Sequence, residues 1–290
     1  MNKTYEKITD IIIEGLENNK IAWRKGWANS VVDCNMETGH KYSGINPLVL
    51  WASSVKNNFD SSLWGTFKQI NNLGGKVKQG SKATPICFMS NVEKPTDNKD
   101  EVEIIWFAKM YYVFNLDQTE NATVPKKIND FITRDKTINP NVKADEIVAK
   151  YLIKNKVNFN HNGHDRAFFS PGENTISLPL KSDFHSTDEY YATLFHEITH
   201  STGLPLKRFP TTEKLAAFGS TEYSKEELVA EFGASFLCAE TGINNNAILQ
   251  NNTAYIQGWL SKLKNDRTLL VRSASLAQKA VNLVVNGGVK

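Results

Sequence analysis

The alternation of apolar and polar positions divides the first part of the chain into short helices and strands. Apolar residues recur at helical spacing over 4–18, and shorter helical patterns follow at 45–57 and 66–73. Two β-branched and aromatic runs, 76–89 and 102–116, predict antiparallel strands separated by a polar stretch. The pattern predicts an N-terminal α+β domain with antiparallel strands.

The pattern changes beyond residue 120. The polar segment 121–141 predicts a linker, and the periodicity of 143–155 predicts a helix. Short strands are expected near 157–160, 166–170 and 174–178. Most of the remaining chain has helical periodicity. We therefore predict an α+β protein with two domains, 1–120 and 142–290.

Composition and length narrow the class of protein. A chain of 290 residues suggests two domains, at roughly 100–200 residues each. No apolar run approaches the ~18–20 residues of a membrane span, and the N-terminus shows no secretory signal. The three cysteines, Cys34, Cys87 and Cys238, are far apart and form no disulfide framework. We therefore expect a cytoplasmic protein without a membrane partner.

The strongest chemical motif is His196-Glu197-Ile198-Thr199-His200, which has the form HExxH. Ser186 and Glu189 predict a helix start before the motif, and Gly203 and Pro205 predict its end. On a helix, His196 and His200 share one face and can bind one metal ion, with zinc as the expected ion. Glu197 is rotated away from that face and is expected to act as the general base. The competing interpretation is a contact between two histidines on an ordinary helix face.

A catalytic zinc needs a third protein ligand and an open position. The downstream segment 223–234 offers Glu226, Glu227 and Glu231 on a predicted helix, where Ala230, Gly233 and Ala234 allow close approach of another helix. We predict Glu227 as the ligand and Glu231 as a carboxylate that orients His200. Alternatively, Glu227 caps its helix with Ser224, and Glu231 is the ligand. Tyr223 is a candidate donor to an oxyanion at the metal, or a packing residue.

The other histidines and the third cysteine have simpler interpretations. His161 and His164 form an HxxH in a polar turn, which can mark a second metal site but more simply marks a polar loop. His185 is expected at the surface, and Cys238 is expected in the core.

The first half of the chain combines tryptophans and lysines. Single-stranded nucleic acid binds to aromatic platforms in a positively charged groove. Five of the six tryptophans lie in the first 106 residues, and residues 61–92 contain no acidic residue. The candidate DNA contacts are Trp23, Lys25, Trp64, Lys68, Lys76, Lys78 and Lys82. Buried tryptophans and solvated lysines are the competing explanation.

Several of these segments together resemble the ArdC-type antirestriction proteins. The segments are Trp23-x-x-x-Trp27, Tyr42-Ser43-Gly44-Ile45-Asn46, residues 113–118, residues 194–203 and residues 226–231. They occur in the same order across about 3–285. The resemblance implies an N-terminal single-stranded-DNA-binding domain and a C-terminal zincin-like metallopeptidase domain. Phe168-Phe169 departs from the tyrosine-containing strand that the resemblance leads us to expect, a change that concerns substrate contacts rather than metal binding.

The resemblance also implies a biological role. Proteins of this family are carried on conjugative elements and protect incoming DNA from host restriction. We therefore expect single-stranded DNA and a protein, such as a component of the host restriction system, as partners. The alternatives are a DNA-binding protein whose metal domain is a non-catalytic scaffold, and a general protease. The intact Glu197 favours the enzyme over the scaffold.

Overall fold

The structure is a computed structural model that describes residues 3–17, 33–95, 102–129, 140–161, 166–208, 221–243 and 260–286. It is a mixed α+β architecture, as the sequence predicted. The N-terminal helices are α1 (Lys3–Glu17), α2 (Asn46–Asn57) and α3 (Phe67–Asn72). These bounds agree with the predicted helices to within one residue or two.

Four strands form the N-terminal sheet, in the order β1-β2-β5-β4. They are β1 (Cys34–Asn35), β2 (Leu63–Gly65), β4 (Thr84–Pro95) and β5 (Val102–Asn115). A separate ribbon pairs β3 (Lys76–Val77) with β6 (Thr119–Glu120). The long antiparallel pair β4–β5 carries the register Ile86 opposite Tyr111 and Pro95 opposite Val102. The predicted antiparallel pairing is therefore present.

The bounds of the first predicted strand are wrong at both ends. The prediction joined 76–89 into one strand, but a turn at 78–81 separates β3 from β4. Gly80 adopts a φ of +80°, a left-handed conformation that glycine tolerates and that interrupts a strand. At the other end, β4 continues through part of the polar stretch to Pro95. Pairing with β5 thus overrides a local polar composition.

The C-terminal part places three short strands beside helices. Helix α4 (Pro140–Asn155) precedes a sheet with the order β7-β9-β8. The strands are β7 (Asn158–His161), β8 (Phe168–Ser170) and β9 (Thr175–Leu178). Helices α5 (Thr187–Ser201), α6 (Thr221–Thr241) and α7 (Leu269–Asn286) follow. Further helical residues lie at 126–129 and 260–265.

One apolar cluster joins the N-terminal helices to the C-terminal ones, and we call it the shared core. It includes Ile8, Ile12, Val49, Trp51 and Cys87 together with Leu228, Phe232, Leu263, Leu270 and Ala274. Polar contacts run alongside it: Thr9 Oγ1 donates to the Arg267 carbonyl at 2.7 Å, and the Gly44 N–H donates to Gln278 Oε1 at 3.0 Å. The predicted domain boundaries remain a prediction, and the two parts bury apolar surface against each other.

The segment predicted as a linker is partly packed. Ile128 is buried in a cluster with Cys34, Met36, Leu63 and Ile70, and the Thr123 N–H donates to the Leu73 carbonyl at 3.0 Å. Its residues from 121 to 129 thus continue the N-terminal fold. Among the described residues, no helix combines the length and the apolar character that crossing a bilayer requires.

Candidate metal centre

Helix α5 presents the HExxH motif in its last turns. Its start is fixed by Ser186, whose Oγ accepts a hydrogen bond from the Glu189 N–H at 3.1 Å. Apolar side chains of the helix, including Tyr191, Phe195 and Ile198, are fully buried against the C-terminal core. The buried helix holds the motif at its C-terminal end, which follows the predicted bounds closely.

Helix α6 crosses α5 closely, because the residue of α6 at the crossing point is Gly233. A Cβ added at Gly233 would lie 2.4 Å from both Cγ2 and Oγ1 of Thr199, which is far inside van der Waals contact. Only a glycine permits this approach. The small residues on 223–234 therefore do what the sequence suggested, and they bring the acidic turn of α6 to the two histidines.

Three side chains converge at the crossing. His196 Nε2 and His200 Nε2 are 3.1 Å apart. Glu227 Oε2 lies 3.6 Å from His196 Nε2, and Glu227 Oε1 lies 3.5 Å from His200 Nε2. Two nitrogens bound at 2.0–2.1 Å to one tetrahedral ion would be about 3.3 Å apart, so this triangle fits a single metal ion. Among the described residues, no other group of three His, Cys, Asp or Glu side chains converges in this way.

The alternative role for Glu227 as a helix cap does not match the structure. Helix α6 is already formed at Thr221, so Ser224 lies inside it rather than at its N-cap. Ser224 is buried, and its Oγ accepts a hydrogen bond from Lys262 Nζ at 2.7 Å. The carboxylate of Glu227 is directed to the two histidines instead.

The charge of the site favours a cation. Burial alone would lower the pKa of His196, but the hydrogen bond that its ring donates to Glu227 and the charges of Glu231, Glu197 and Glu227 outweigh it and raise that pKa to about 9. In the absence of a metal, the proton on His196 serves as the counter-charge to these carboxylates. A divalent ion can replace that proton, so the donor set and the electrostatics both fit a metal.

His200 has a second carboxylate on its other ring nitrogen. His200 Nδ1 lies 3.3 Å from Glu226 Oε1, and since a carboxylate can only accept, this contact suits an Nδ1–H donor and a metal-binding Nε2. The sequence-based expectation gave this orienting role to Glu231. In the structure Glu226 is the carboxylate next to Nδ1, and the charge of Glu231 acts on His196, so the role of Glu231 at His200 stays a prediction.

Arg208 holds Glu226 in place. Its side chain is only 4% exposed, and the guanidinium donates from Nε to Glu226 Oε2 at 2.9 Å and from Nη2 to Oε1 at 2.8 Å. It also donates to the Thr199 carbonyl and to Thr202 Oγ1. Burial would raise the pKa of Glu226, but the hydrogen bonds from His200 and Arg208 lower it below the usual value. Glu226 therefore stays a carboxylate.

Sequence analysis missed Arg208 and the role of Glu226. Arg208 lies in a segment without periodicity, eight residues beyond His200, so no local pattern marks it. The available signal was general: a metal-binding imidazole usually donates its other N–H to a carboxylate.

Glu197 is buried beside the histidines. It is only 8% exposed, and its charge contributes to the raised pKa of His196. Its adjacency to His196 on the helix directs it away from the shared face of the two imidazoles. A buried carboxylate at this position is available to accept a proton.

The remaining candidates of the C-terminal part fall into three groups. His161 Nε2 contacts the Tyr190 hydroxyl at 3.2 Å and stacks on its ring, while His164 lies outside the described residues. His185 is exposed and Cys238 is fully buried, as expected. The side chain of Tyr223 also lies outside the described residues.

The candidate DNA contacts are dispersed in the structure. Trp64 is fully buried, and its Nε1–H donates to Asp33 Oδ1 at 2.8 Å, so its ring cannot stack on a base. Its position in the central strand β2 accounts for this burial. Trp23 and Lys25 lie outside the described residues. The four lysines are exposed: Lys68, Lys76, Lys78 and Lys82.

Comparison with known proteins identifies the class of the fold. Residues 143–276 match the zincin-like metallopeptidase family, and residues 2–114 match the N-terminal domain of the anti-restriction factor ArdC. The metal-free crystal structure of ArdC from plasmid R388 is 32% identical with a TM-score of 0.75, and the Mn(II)-bound structure is 30% identical with a TM-score of 0.73. Both alignments cover 98% of this chain and 97% of the other. The chain belongs to the ArdC antirestriction family.

Relatives of different lengths align with almost the whole of this chain. A DNA primase TraC of Escherichia coli is 30% identical over 97% of this chain, and the chain spans 27% of that protein. A second Escherichia coli TraC is 28% identical, and the chain spans 20% of its length. The uncharacterised protein y4eC of Sinorhizobium fredii is 25% identical over 95% of this chain and 89% of its own length.

Proposed function

We propose that this protein is a metal-dependent peptidase that acts at single-stranded DNA and protects the DNA of a mobile element from host restriction. The observation that carries the enzymatic part is the convergence of His196, His200 and Glu227, with Glu197 buried beside them. We propose that these three side chains hold one divalent ion, and that this ion is zinc. The ion would supply a Lewis acid that polarises a carbonyl oxygen and makes water more acidic.

Other residues of the chain transfer the proton and orient the proposed metal ligands. Glu197 accepts a proton from the attacking water and delivers it to the nitrogen of the leaving amine, since a carboxylate can act first as a base and then as an acid. Glu226 fixes the orientation and tautomer of His200, and Arg208 fixes Glu226. The buried helix–helix crossing keeps these groups in one geometry before substrate arrives.

The DNA-binding part of the proposal rests on family membership and on the exposed lysines of the N-terminal part. The match to the N-terminal domain of ArdC covers 2–114. The relatives include proteins named DNA primase and a plasmid-borne antirestriction protein, which supports a role in DNA transfer. We propose that the protein substrate belongs to the host restriction system. The buried free thiols of Cys34, Cys87 and Cys238 support a cytoplasmic location.

A non-catalytic scaffold is the second candidate function. Two histidines and Glu227 would suffice to hold a structural metal. A scaffold has no use for Glu197, and burying a carboxylate at that position is costly. The peptidase hypothesis therefore explains the buried Glu197, which the scaffold hypothesis does not.

Two matched variants of the full chain test the enzyme. Glu197→Gln and Glu227→Gln make the same chemical change at adjacent positions of the site. We expect Glu197→Gln to keep the metal and to lower peptidase activity by about 10²–10⁴-fold, the usual contribution of a general base. We expect Glu227→Gln to weaken metal binding by more than the roughly 10–100-fold that loss of an outer-shell partner costs.

The measurements are a zinc titration and hydrolysis of labelled casein. A Glu197→Gln chain that hydrolyses casein at the wild-type rate would exclude the general-base role. Unchanged zinc affinity of Glu227→Gln would exclude the ligand assignment. If the wild type binds zinc and cleaves neither casein nor host restriction subunits, the scaffold becomes the better explanation.

A further inference from the structure

A groove of about 310 Å³ lies on one face of the β4–β5 pair, opposite the face where Tyr112 contacts Lys7 of α1. In the register of the two strands, Ile86 faces Tyr111 and Phe88 faces Lys109, so these side chains share this face. Ile86 is buried and forms part of the floor. Phe88 and Tyr111 form an aromatic wall, with an edge-to-face contact at 5.6 Å. We call this feature the hairpin groove.

The opposite wall of the hairpin groove is polar. It is formed by Asn35 of β1 and Gln69 of α3, together with His40 and Thr66 from the loops next to these elements. Asn35 Nδ2 donates to Gln69 Oε1 at 3.0 Å, and Gln69 Oε1 also accepts from the Thr66 N–H at 2.8 Å. These bonds fix the amides in place. The groove thus has an aromatic surface on one side and a polar wall on the other, in which the two amides bond mainly to each other and to neighbouring backbone N–H groups.

Positive charge borders the aromatic wall of the hairpin groove, whereas Asp33 and Glu37 flank Asn35 of the opposite wall in sequence. Lys109 is exposed, and its Nζ lies 5.3 Å from the centre of the Tyr111 ring. Lys68 is exposed on α3, next to Phe67, which is 57% exposed. Phe88, Thr66 and Gln69 all belong to the acid-free stretch 61–92. A ligand with a negative charge next to a flat ring system would complement this surface.

We propose that the hairpin groove binds a base of single-stranded DNA, with Tyr111 as the stacking platform and Lys109 at a neighbouring phosphate. A nucleobase has an apolar face and polar edges, which match the two walls, and its phosphates match the lysines. A volume of about 310 Å³ lies at the lower end of ligand sites, as suits one small planar group. This assignment rests on the proposed DNA-binding function and replaces Trp64, which is buried, as the source of stacking.

Adjacent tyrosines provide a matched test. Tyr111 lies on the hairpin groove, whereas the next residue, Tyr112, is on the other face of β5, where its hydroxyl accepts from Lys7 Nζ at 3.1 Å. Both are partly exposed, at 38% and 48%. The full-length variants Tyr111→Ala and Tyr112→Ala are compared with wild type. Binding of a fluorescein-labelled oligothymidylate is followed by fluorescence anisotropy at several salt concentrations.

We expect Tyr111→Ala to weaken binding by roughly 5- to 150-fold, the range for loss of stacking on one base. The salt dependence should be unchanged, Tyr111→Trp should restore binding, and Tyr112→Ala should bind like wild type. Lys109→Gln should flatten the plot of log affinity against log salt by about 0.7, the value for one phosphate contact on a single strand.

The outcomes separate this assignment from the proposed DNA binding. A wild-type chain without salt-sensitive affinity for the oligonucleotide overturns both. Wild-type binding together with an unchanged Tyr111→Ala, or equal losses in both alanine variants, overturns the hairpin groove alone.

A second measurement uses the wild-type chain and does not depend on whether a variant folds. An oligonucleotide containing 5-bromodeoxyuridine should crosslink to peptides that contain Phe88 or Tyr111. Crosslinks confined to other peptides overturn the assignment.

Discussion

Two buried carboxyl groups, one in each part of the molecule, are shifted in opposite directions. Glu226 contacts Arg208 and His200, and these cationic and hydrogen-bonding partners lower its pKa despite burial. The carboxyl group of Asp33 is buried although the residue is partly exposed, and burial raises its pKa to about 7 against a hydrogen bond from Trp64. A neutral indole N–H compensates a buried charge less than a bidentate guanidinium does.

The opposite pKa shifts of Glu226 and Asp33 distinguish a candidate metal site from an ordinary protein core. The α5–α6 crossing keeps carboxylates charged inside the protein, which is the condition for holding a cation. The sheet around Trp64 instead tolerates a carboxyl group that becomes neutral within the physiological range. Glu226 thus stays charged at the α5–α6 crossing, whereas the lysines at positions 68, 76, 78 and 82 of the N-terminal part lie on its surface.

Among the variants that test this comparison, removal of Arg208 should change the free energy of unfolding most. Arg208→Met leaves Glu226 buried without its cation, and breaking a buried ion pair in this way costs about 3–5 kcal/mol. Urea unfolding measures this loss, and Arg208→Lys, which keeps the charge but loses the bidentate geometry, should recover only part of it.

The double variant Arg208→Met/Glu226→Gln is the control for that loss. Because it removes both charges, we expect it to be more stable than Arg208→Met alone. Its zinc affinity should still be lower than wild type by roughly 10–100-fold, since His200 loses its carboxylate partner. An Arg208→Met protein as stable as wild type would show that Glu226 does not depend on the arginine.

Asp33→Asn tests the second carboxyl group of the comparison, through the pH dependence of stability. The folded-state pKa of Asp33, about 7, lies above the ordinary value of 3.8, so the folded state holds a proton that the unfolded chain releases. Its contribution to stability is complete below about pH 4 and is lost as the pH rises to 7, at about 1.4 kcal/mol per pH unit.

An asparagine can accept the same hydrogen bond from Trp64 without titrating. Above pH 7, Asp33→Asn should therefore be more stable than wild type by as much as a few kcal/mol, and near pH 4 the two should be alike. The free energy of unfolding, measured across this range, tests the sign. A constant difference between the proteins at all pH values would show that Asp33 does not titrate near 7.

The C-terminal site was more accessible to sequence analysis than the N-terminal surface, for a physical reason. His196, Glu197 and His200 lie within one helical turn, so helix geometry alone relates their positions. The small residues around Gly233 indicated a close helix crossing, which brings Glu227 within range. Arg208 comes from an irregular segment whose path depends on tertiary packing, and no periodicity predicts it.

The N-terminal surface depends on pairing between distant segments. The hairpin groove combines residues near 35–42, 66–69, 86–88 and 111–113, and only the register of β4 and β5 brings Phe88 and Tyr111 together. Composition could indicate that aromatic and basic residues were available. It could not distinguish Trp64, which fills the core, from Tyr111, which borders the groove.

Zinc binding tests whether the two parts of the molecule unfold together. The proposed ligands lie on α5 and α6, and α6 also contributes Leu228 and Phe232 to the shared core with α1 and α2. Free zinc at a hundred times its dissociation constant would stabilise the folded state by about 2.7 kcal/mol. If the shared core couples the two parts, this stabilisation should reach the N-terminal sheet.

Tryptophan fluorescence reports mainly on the N-terminal part, because five of the six tryptophans lie within the first 106 residues, whereas far-ultraviolet circular dichroism reports on all helices. We expect zinc to raise both thermal midpoints equally, by several degrees, and to have no such effect on His196→Ala. A zinc shift that appears in circular dichroism but not in tryptophan fluorescence would mean that the parts unfold independently and that the shared core contributes little to their coupling.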